Sequence, residues 1–394
     1  MSTSLLLNRK PRVLILSASS GAGHVRAGQA LEKAFRAQAP CEVTHIDALQ
    51  YVSKLFQGIY NKTYIRMVNR APDLMGLLYD RTDRPWSQQR PRLAMDRLNT
   101  QPMIRMLKKM QPDLCVATHF LPAEILAWLI AKKKLRARHV ITVTDYDVHA
   151  AWLCQTVDRY YVAIEESMEY LARIGVPREK LCVAGIPIDP LFAQPVSAAE
   201  ARRKLGLGAN EFVLLLSAGG YGIGPVEQLV SDLVESKKSW QIVAVAGKSE
   251  PLKQRLDALA RHAGRTPSGS PRLMPVGFTT EMDQYLAAAD LLIGKAGGLT
   301  TSEALARELP MVLIEPIPGQ EERNADHLLE AGAAIRCNNL PAAAWKIAKL
   351  AEQPEKLAAM KRAARAMARP DAARLIAQDA LELLHWNFQL LNEP

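Results

Sequence analysis

Ten short apolar runs, recurring along the whole chain between segments of helical pattern, restrict its fold more than any other feature. The first group is VLILSAS (13–19), LCVATH (114–119), HVITVTD (139–145), RYYVAI (159–164) and LCVAGIPI (181–188). The second is FVLLLSAGG (212–220), WQIVAVAG (240–247), RLMPVGF (272–278), LLIGKAGG (291–298) and MVLIEPI (311–317). Runs this short and this apolar read as strands buried on both faces, as in a parallel sheet covered by helices. The two groups predict an α/β protein of two Rossmann-like, doubly wound domains. With 48% hydrophobic and 23% charged residues among 394, the chain has ample material for two such cores, which excludes a disordered chain.

The boundary is expected in PIDPLFAQPVSAAEARRKLGLGAN (187–210), giving domains at 1–190 and 191–370. The segment 371–394 contains an amphipathic helix expected to pack back on the first domain. Two facing domains of this class bind ligands beyond the carboxyl ends of their strands, in an inter-domain cleft.

The longest apolar stretch, LPAEILAWLIA (121–131), carries Glu124 and falls short of the about 20 residues that a spanning helix needs. The N-terminus lacks the order and length of a signal peptide, so the expectation is a cytoplasmic protein. Cys41, Cys115, Cys154, Cys182 and Cys337 are scattered without a CxxC and read as reduced packing residues. Of 50 Lys+Arg and 40 Asp+Glu, residues 1–190 hold 27 and 17, so the whole excess of +10 lies in the first half. Within 54–110 there are 12 basic and 4 acidic residues. There Phe56, Ile59, Tyr60, Tyr64, Met67 and Val68 recur at helical spacing with Lys54, Lys62, Arg66 and Arg70 among them. That pattern suits an ordinary packed helix, or an amphipathic element meeting anionic lipid.

Several loops carry polar groups at strand ends. SASSGAGHVRAG (17–28) leads from a strand into a helix and places His24 near the helix start. The helix dipole disfavours an imidazolium there, leaving the neutral form that a general base requires. TVTDYDVHAAW (142–152) brings Asp145, Asp147 and His149 to another strand end, where one of the carboxylates would orient His24 or itself take a substrate proton, helix capping being the alternative for Asp145. In the second half, SAGGYGIGP (217–225) and GKAGGLTTSEALA (294–306) are Gly-rich strand-to-helix turns. Their free amides, with Gly297, Gly298, Leu299, Thr300 and Thr301 at one helix start, would hold phosphate oxygens without a metal. Glu303 on that helix suits ribose hydroxyls, and Gln320, Glu321 and Asn324 suit a polyhydroxylated ring. Together they indicate a nucleoside diphosphate, and the pair of loops has no explanation in a nucleic-acid-binding protein.

Taken together, SASSGAGHVRAG, TDYDVHAAW, VGFTTEMDQYLAAAD, GKAGGLTTSEALA and PIPGQEERNA resemble the monogalactosyldiacylglycerol synthase and processive diacylglycerol glycosyltransferase group of glycosyltransferase family 28. The resemblance spans about residues 12–335 and is more specific in the second half. It implies a GT-B fold, a UDP-sugar donor in the C-terminal domain and a diacylglycerol-type acceptor at the N-terminal domain. Transfer of glucose or galactose with inversion, no cofactor and no metal follow from it. The implied setting is bacterial glycolipid synthesis, peripheral on the inner face of the cell membrane. Carried over by position, Gly219, Gly220 and the Gly297 to Thr300 turn contact the diphosphate, Glu303 the ribose and Phe278 the uracil. Gln320, Glu321 and Asn324 meet the hexose, and His24 or Asp145 is the base. Phe56, Tyr60, Lys62, Arg66 and Arg70 form the membrane and acceptor side. A UDP-sugar epimerase, or an N-acetylglucosaminyltransferase using another lipid acceptor, is the alternative.

Overall fold

The structure, a computed structural model, describes residues 9–19, 21–53, 72–86, 89–220, 226–236 and 238–384. They form two compact units, residues 1–190 with 371–394, and residues 191–370.

The first unit holds a six-stranded sheet of β1 (Arg12–Ser17), β2 (Glu42–Asp47), β3 (Leu114–Ala117), β4 (Arg138–Thr142), β5 (Arg159–Val162) and β6 (Leu181–Val183). Their order is β2-β1-β3-β4-β5-β6, and every neighbouring pair is parallel. From β1 the chain first adds β2 on one side, then crosses over to add β3 on the other. The carboxyl ends of β1 and β3 therefore flank a topological switch point, where crossover helices diverge and leave a crevice. The central strands β1, β3, β4 and β5 are buried almost throughout because helices cover both faces.

One of these helices, Ala372–Glu382, comes from the C-terminus. It buries Ala373, Ile376, Ala377, Ala380 and Leu381 in the same cluster as Leu31 and Phe35 of helix Ala22–Gln38. Polar contacts fix its register: Tyr161 Oη donates to Asp379 Oδ2 at 2.7 Å, and Gln38 Nε2 donates to the Arg374 carbonyl at 3.0 Å.

The second unit repeats the design with β7 (Phe212–Ser217), β8 (Trp240–Val245), β9 (Leu273–Val276), β10 (Leu291–Gly294), β11 (Met311–Ile314) and β12 (Ala334–Cys337). The order is β12-β11-β10-β7-β8-β9, again parallel throughout. Its switch point lies between β7 and β10, so the two Gly-rich turns after those strands are neighbours. Leu340–Ala342 and helices Ala343–Ala351 and Pro354–Met367 complete this unit's cover. No helix among the described residues is long and apolar enough to cross a membrane.

The structure departs from the sequence reading at the sheet edges. β2 and β12 were not among the ten apolar runs. β9, expected to be buried on both faces, is an edge strand with Leu273 alone fully buried.

Candidate active site

His24 stands in the first turn of helix Ala22–Gln38, directly after β1 at the first unit's switch point. Gly21 is the N-cap and supplies no side-chain acceptor to the amides of the first turn. The imidazole Nδ1 lies 2.8 Å from the Thr118 carbonyl, at the end of β3, and 3.0 Å from Thr144 Oγ1, beyond β4. A carbonyl oxygen only accepts, so Nδ1 carries the proton and the second ring nitrogen, Nε2, holds a lone pair. Thr118 grips the residue a second time, its hydroxyl donating to the His24 carbonyl at 3.0 Å.

Aromatic rings wall the imidazole: His119 lies edge-on with centroids 4.7 Å apart, and Trp152 is 6.4 Å away. This enclosure lowers the His24 pKa from its ordinary value, with the nearby Asp145 charge and the Thr118 hydrogen bond opposing the shift. The direction agrees with the sequence argument, but the cause is burial. A helix terminus contributes about 0.3–1 kcal/mol, under one pH unit, whereas burial moves a histidine by up to several. His119 is held well below its ordinary pKa by burial and then by His24. Its Nδ1 accepts from the Leu121 amide at 3.1 Å, capping helix Phe120–Ala131. Two adjacent neutral histidines thus share the crevice.

Asp145 is buried at 6% exposure and acts on His24 through its charge. His149 has a different task. Its Nδ1 accepts from the Ala151 amide, and its Nε2 lies 3.0 Å from the Tyr79 carbonyl, which ties the loop after β4 to helix Pro72–Thr82. Asp47 steadies the other side of the crevice by accepting from the amides of Ser19 and Leu49, both at 3.1 Å.

In the second unit, helix Gly298–Ala306 starts at the carboxyl end of β10 with Gly297 as N-cap and no side-chain cap. Its first amides are therefore available to an anion. Thr300 is partly exposed there. Thr301 is not, since its hydroxyl donates to the carbonyls of Gly297 and Gly298, both at 3.0 Å, and it is fully buried. The expectation that both threonine hydroxyls serve a phosphate narrows to Thr300. Leu299 and Glu303 are buried at 5% and 1% exposure.

The neighbouring turns brace this helix start. Asn324 is fully buried and its Nδ2 donates to the Ala296 carbonyl at 3.1 Å. Glu321 accepts from the Ile317 amide at 2.8 Å and lies beside Gly297, while Gln320 and Glu321 keep partial exposure. Gly219 and Gly220 form the turn after β7, and Gly219 adopts φ 69°. Gly247, after β8, also has a left-handed φ of 61°, and a Cβ there would come 2.4 Å from the Gly219 carbonyl. Lys248 follows, donating its amide to the Gly220 carbonyl at 3.2 Å and placing its ammonium 5.4 Å from the exposed ring of Phe278. Sequence reasoning overlooked Gly247 and Lys248, and likewise Thr118, His119 and Thr144. The signal was present, because each sits at the end of a run already read as a strand. Phe56, Tyr60, Lys62, Arg66 and Arg70 lie outside the described residues.

Comparison with known proteins decides the family. A model for monogalactosyldiacylglycerol synthase matches residues 24–188, and one for the glycosyltransferase family 28 C-terminal domain matches residues 223–383. The chain is 30% identical over 387 residues to a processive diacylglycerol beta-glucosyltransferase of Bacillus mycoides, covering 96% of this chain and 95% of that one. The chain belongs to the monogalactosyldiacylglycerol synthase and processive diacylglycerol glycosyltransferase group of glycosyltransferase family 28. An enzyme of the same name from Staphylococcus saprophyticus is 27% identical over 385 residues, with 96% and 95% coverage. Among solved structures, Anabaena HepE in complex with UDP-glucose aligns with TM-score 0.55 at 18% identity, covering 95% of this chain and 99% of that one. The likeness is one of fold, and the two parallel sheets are those of GT-B glycosyltransferases.

Proposed function

We propose that the protein transfers glucose from UDP-glucose to diacylglycerol, and then to the resulting glucosyl-diacylglycerol, as a β-glucoside. The observation that carries this reading is the near-full-length similarity to processive diacylglycerol beta-glucosyltransferases. The arrangement of residues supports roles for them. His24 Nε2 takes the proton of the acceptor hydroxyl as that oxygen bonds to the anomeric carbon. The bond from that carbon to the UDP oxygen breaks on the opposite face, and UDP leaves with the electron pair. One displacement converts the donor's α linkage into a β linkage.

Developing charge on the diphosphate falls to the amides at Gly297 to Thr300 and to the turn at Gly219 and Gly220. Glu303 takes the ribose and Phe278 the uracil. Gln320 and Glu321 face the hexose, while Asn324 acts on it through the Ala296 turn that it holds. The amides supply the electrostatics in this reading, so no metal is assigned a role. Asp145 sustains the basicity of His24 against the effect of burial.

We further propose that the first unit docks on anionic membrane. Helices Pro72–Thr82 and Gln89–Asn99 expose Leu74, Leu77, Leu78, Met95 and Leu98, at 41–79%. Arg81 and Arg84 lie beside the first of these. Exposed apolar side chains on two helices of the basic half of the chain, with Arg81 and Arg84 near the first set, suit a lipid interface despite Asp73, Asp80 and Asp83 in the same segment.

The test is incubation of the protein with UDP-glucose, UDP-galactose or UDP-glucuronic acid and diacylglycerol vesicles, with products resolved by mass spectrometry against hexose standards, with and without EDTA. Glucosyl- and diglucosyl-diacylglycerol, formed equally with EDTA present, are expected. His24→Ala is expected to abolish them while UDP binding persists by calorimetry. Product from another sugar only, or equal loss of transfer and UDP binding in His24→Ala, would overturn the respective assignment.

A further inference from the structure

The geometry around His24 points to Thr144, acting with Thr118, as a positioning residue that fixes which imidazole nitrogen is free to take the acceptor's proton; this inference rests on the reading of His24 as the base. A histidine is a competent base only in the tautomer whose lone pair faces the substrate, and an isolated imidazole populates both. Here Nδ1 lies within hydrogen-bond distance of two oxygens on two different strand ends. The Thr118 carbonyl sets the direction, because an unprotonated Nδ1 at 2.8 Å would place two lone pairs against each other. With the proton on Nδ1, Thr144 Oγ1 at 3.0 Å becomes the second acceptor of a shared hydrogen bond.

The two contacts are not redundant. Thr118 binds His24 through its backbone carbonyl and through its side chain, so it sets where the residue sits. Thr144 approaches from beyond β4 and sets the rotation of the ring about its own bonds. Both threonines are buried, at 0% and 5% exposure, so water does not substitute readily for the lost hydroxyl. As Nε2 gains the proton, the imidazolium's Nδ1–H becomes a stronger donor, and these acceptors stabilise the charged form. Asp145 contributes in the same sense from its position next to Thr144 in the chain, whereas burial opposes it.

Thr144→Val removes the hydroxyl while keeping the branched shape, and Thr144→Ser keeps the hydroxyl. One hydrogen bond is worth about 1 kcal/mol, hence roughly a five- to tenfold loss of kcat in Thr144→Val. KM for UDP-glucose and UDP affinity by calorimetry should stay within about twofold, and the acid limb of the kcat profile should move to lower pH. Thr144→Ser should recover most of the rate. Equal losses in Val and Ser, a parallel loss of UDP affinity, or an unchanged kcat in Val would each overturn the assignment. His24→Ala run alongside separates the two levels of the argument. If it remains active, the base reading itself fails, whereas an inactive His24→Ala with an unaffected Thr144→Val refutes the role of Thr144 alone.

Discussion

At the scale of single residues, the donor side depends on backbone that only glycine accepts. Gly247 has φ 61°, and an added Cβ would meet the carbonyls of Gly219 at 2.4 Å and Gly220 at 3.0 Å. Both obstacles are main-chain atoms of the turn proposed to hold the diphosphate, so no flexible side chain can yield. The left-handed conformation alone costs about 1–2 kcal/mol in a non-glycine residue. Relief of the clash requires the 219–220 turn to move. Gly247→Ala is therefore expected to weaken UDP binding about tenfold or more by calorimetry, one decade per 1.4 kcal/mol, and to lower thermal stability. Unchanged UDP affinity in a folded variant would mean that this turn does not reach the nucleotide. Gly247 was readable as the end of WQIVAVAG, but its contact with Gly219 was not, because that proximity depends on β7 and β8 being neighbours. Thr118 and Thr144 illustrate the same limit. Both stand in strand-end motifs quoted from the sequence, yet only the strand order brings them to His24 from 94 and 120 residues away.

At the scale of elements, the central strands were legible because burial on both faces leaves one signal, an unbroken apolar run. β2 and β12 escaped because each lies at a sheet edge, where polar residues are tolerated: EVTHID buries Val43 alone, and AIRC keeps Ile335 and Arg336 partly exposed. The helix Ala372–Glu382 was legible through its apolar stripe, and its contacts explain why the chain returns to the first unit. Ile376 is fully buried against helix Ala22–Gln38, whose other end presents His24. Ile376→Ala should cost about 2–5 kcal/mol, the range for removing large aliphatic side chains from a core. Denaturant unfolding should show the loss in the transition of the first unit, and calorimetry should show UDP affinity preserved. A fall in UDP affinity to match would show that the helix supports the donor-binding unit instead.

At the scale of the whole molecule, the imbalance of charge fits the two tasks proposed above, membrane docking by the first unit and donor binding by the second. The first 190 residues carry the entire net excess of +10, while residues 191–394 are balanced, with 23 basic and 23 acidic residues. A sugar nucleotide gripped by amides does not need a cationic domain, but a surface that meets anionic lipid does. In the membrane docking proposed for the first unit, the leucines of helix Pro72–Thr82, 60% exposed at Leu77 and 41% at Leu78, would supply the apolar half of the contact. Each cation at such a surface contributes about 1 kcal/mol and is screened by salt, whereas the apolar contribution is not. Arg81→Glu with Arg84→Glu should therefore reduce flotation with vesicles containing anionic phospholipid by about tenfold or more, with the difference shrinking in high salt. Leu77→Ser with Leu78→Ser should weaken flotation to a similar extent at every salt concentration. UDP binding should be unaffected in both. Undiminished flotation in both double variants would overturn the docking proposed for helix Pro72–Thr82, without bearing on the role proposed for His24.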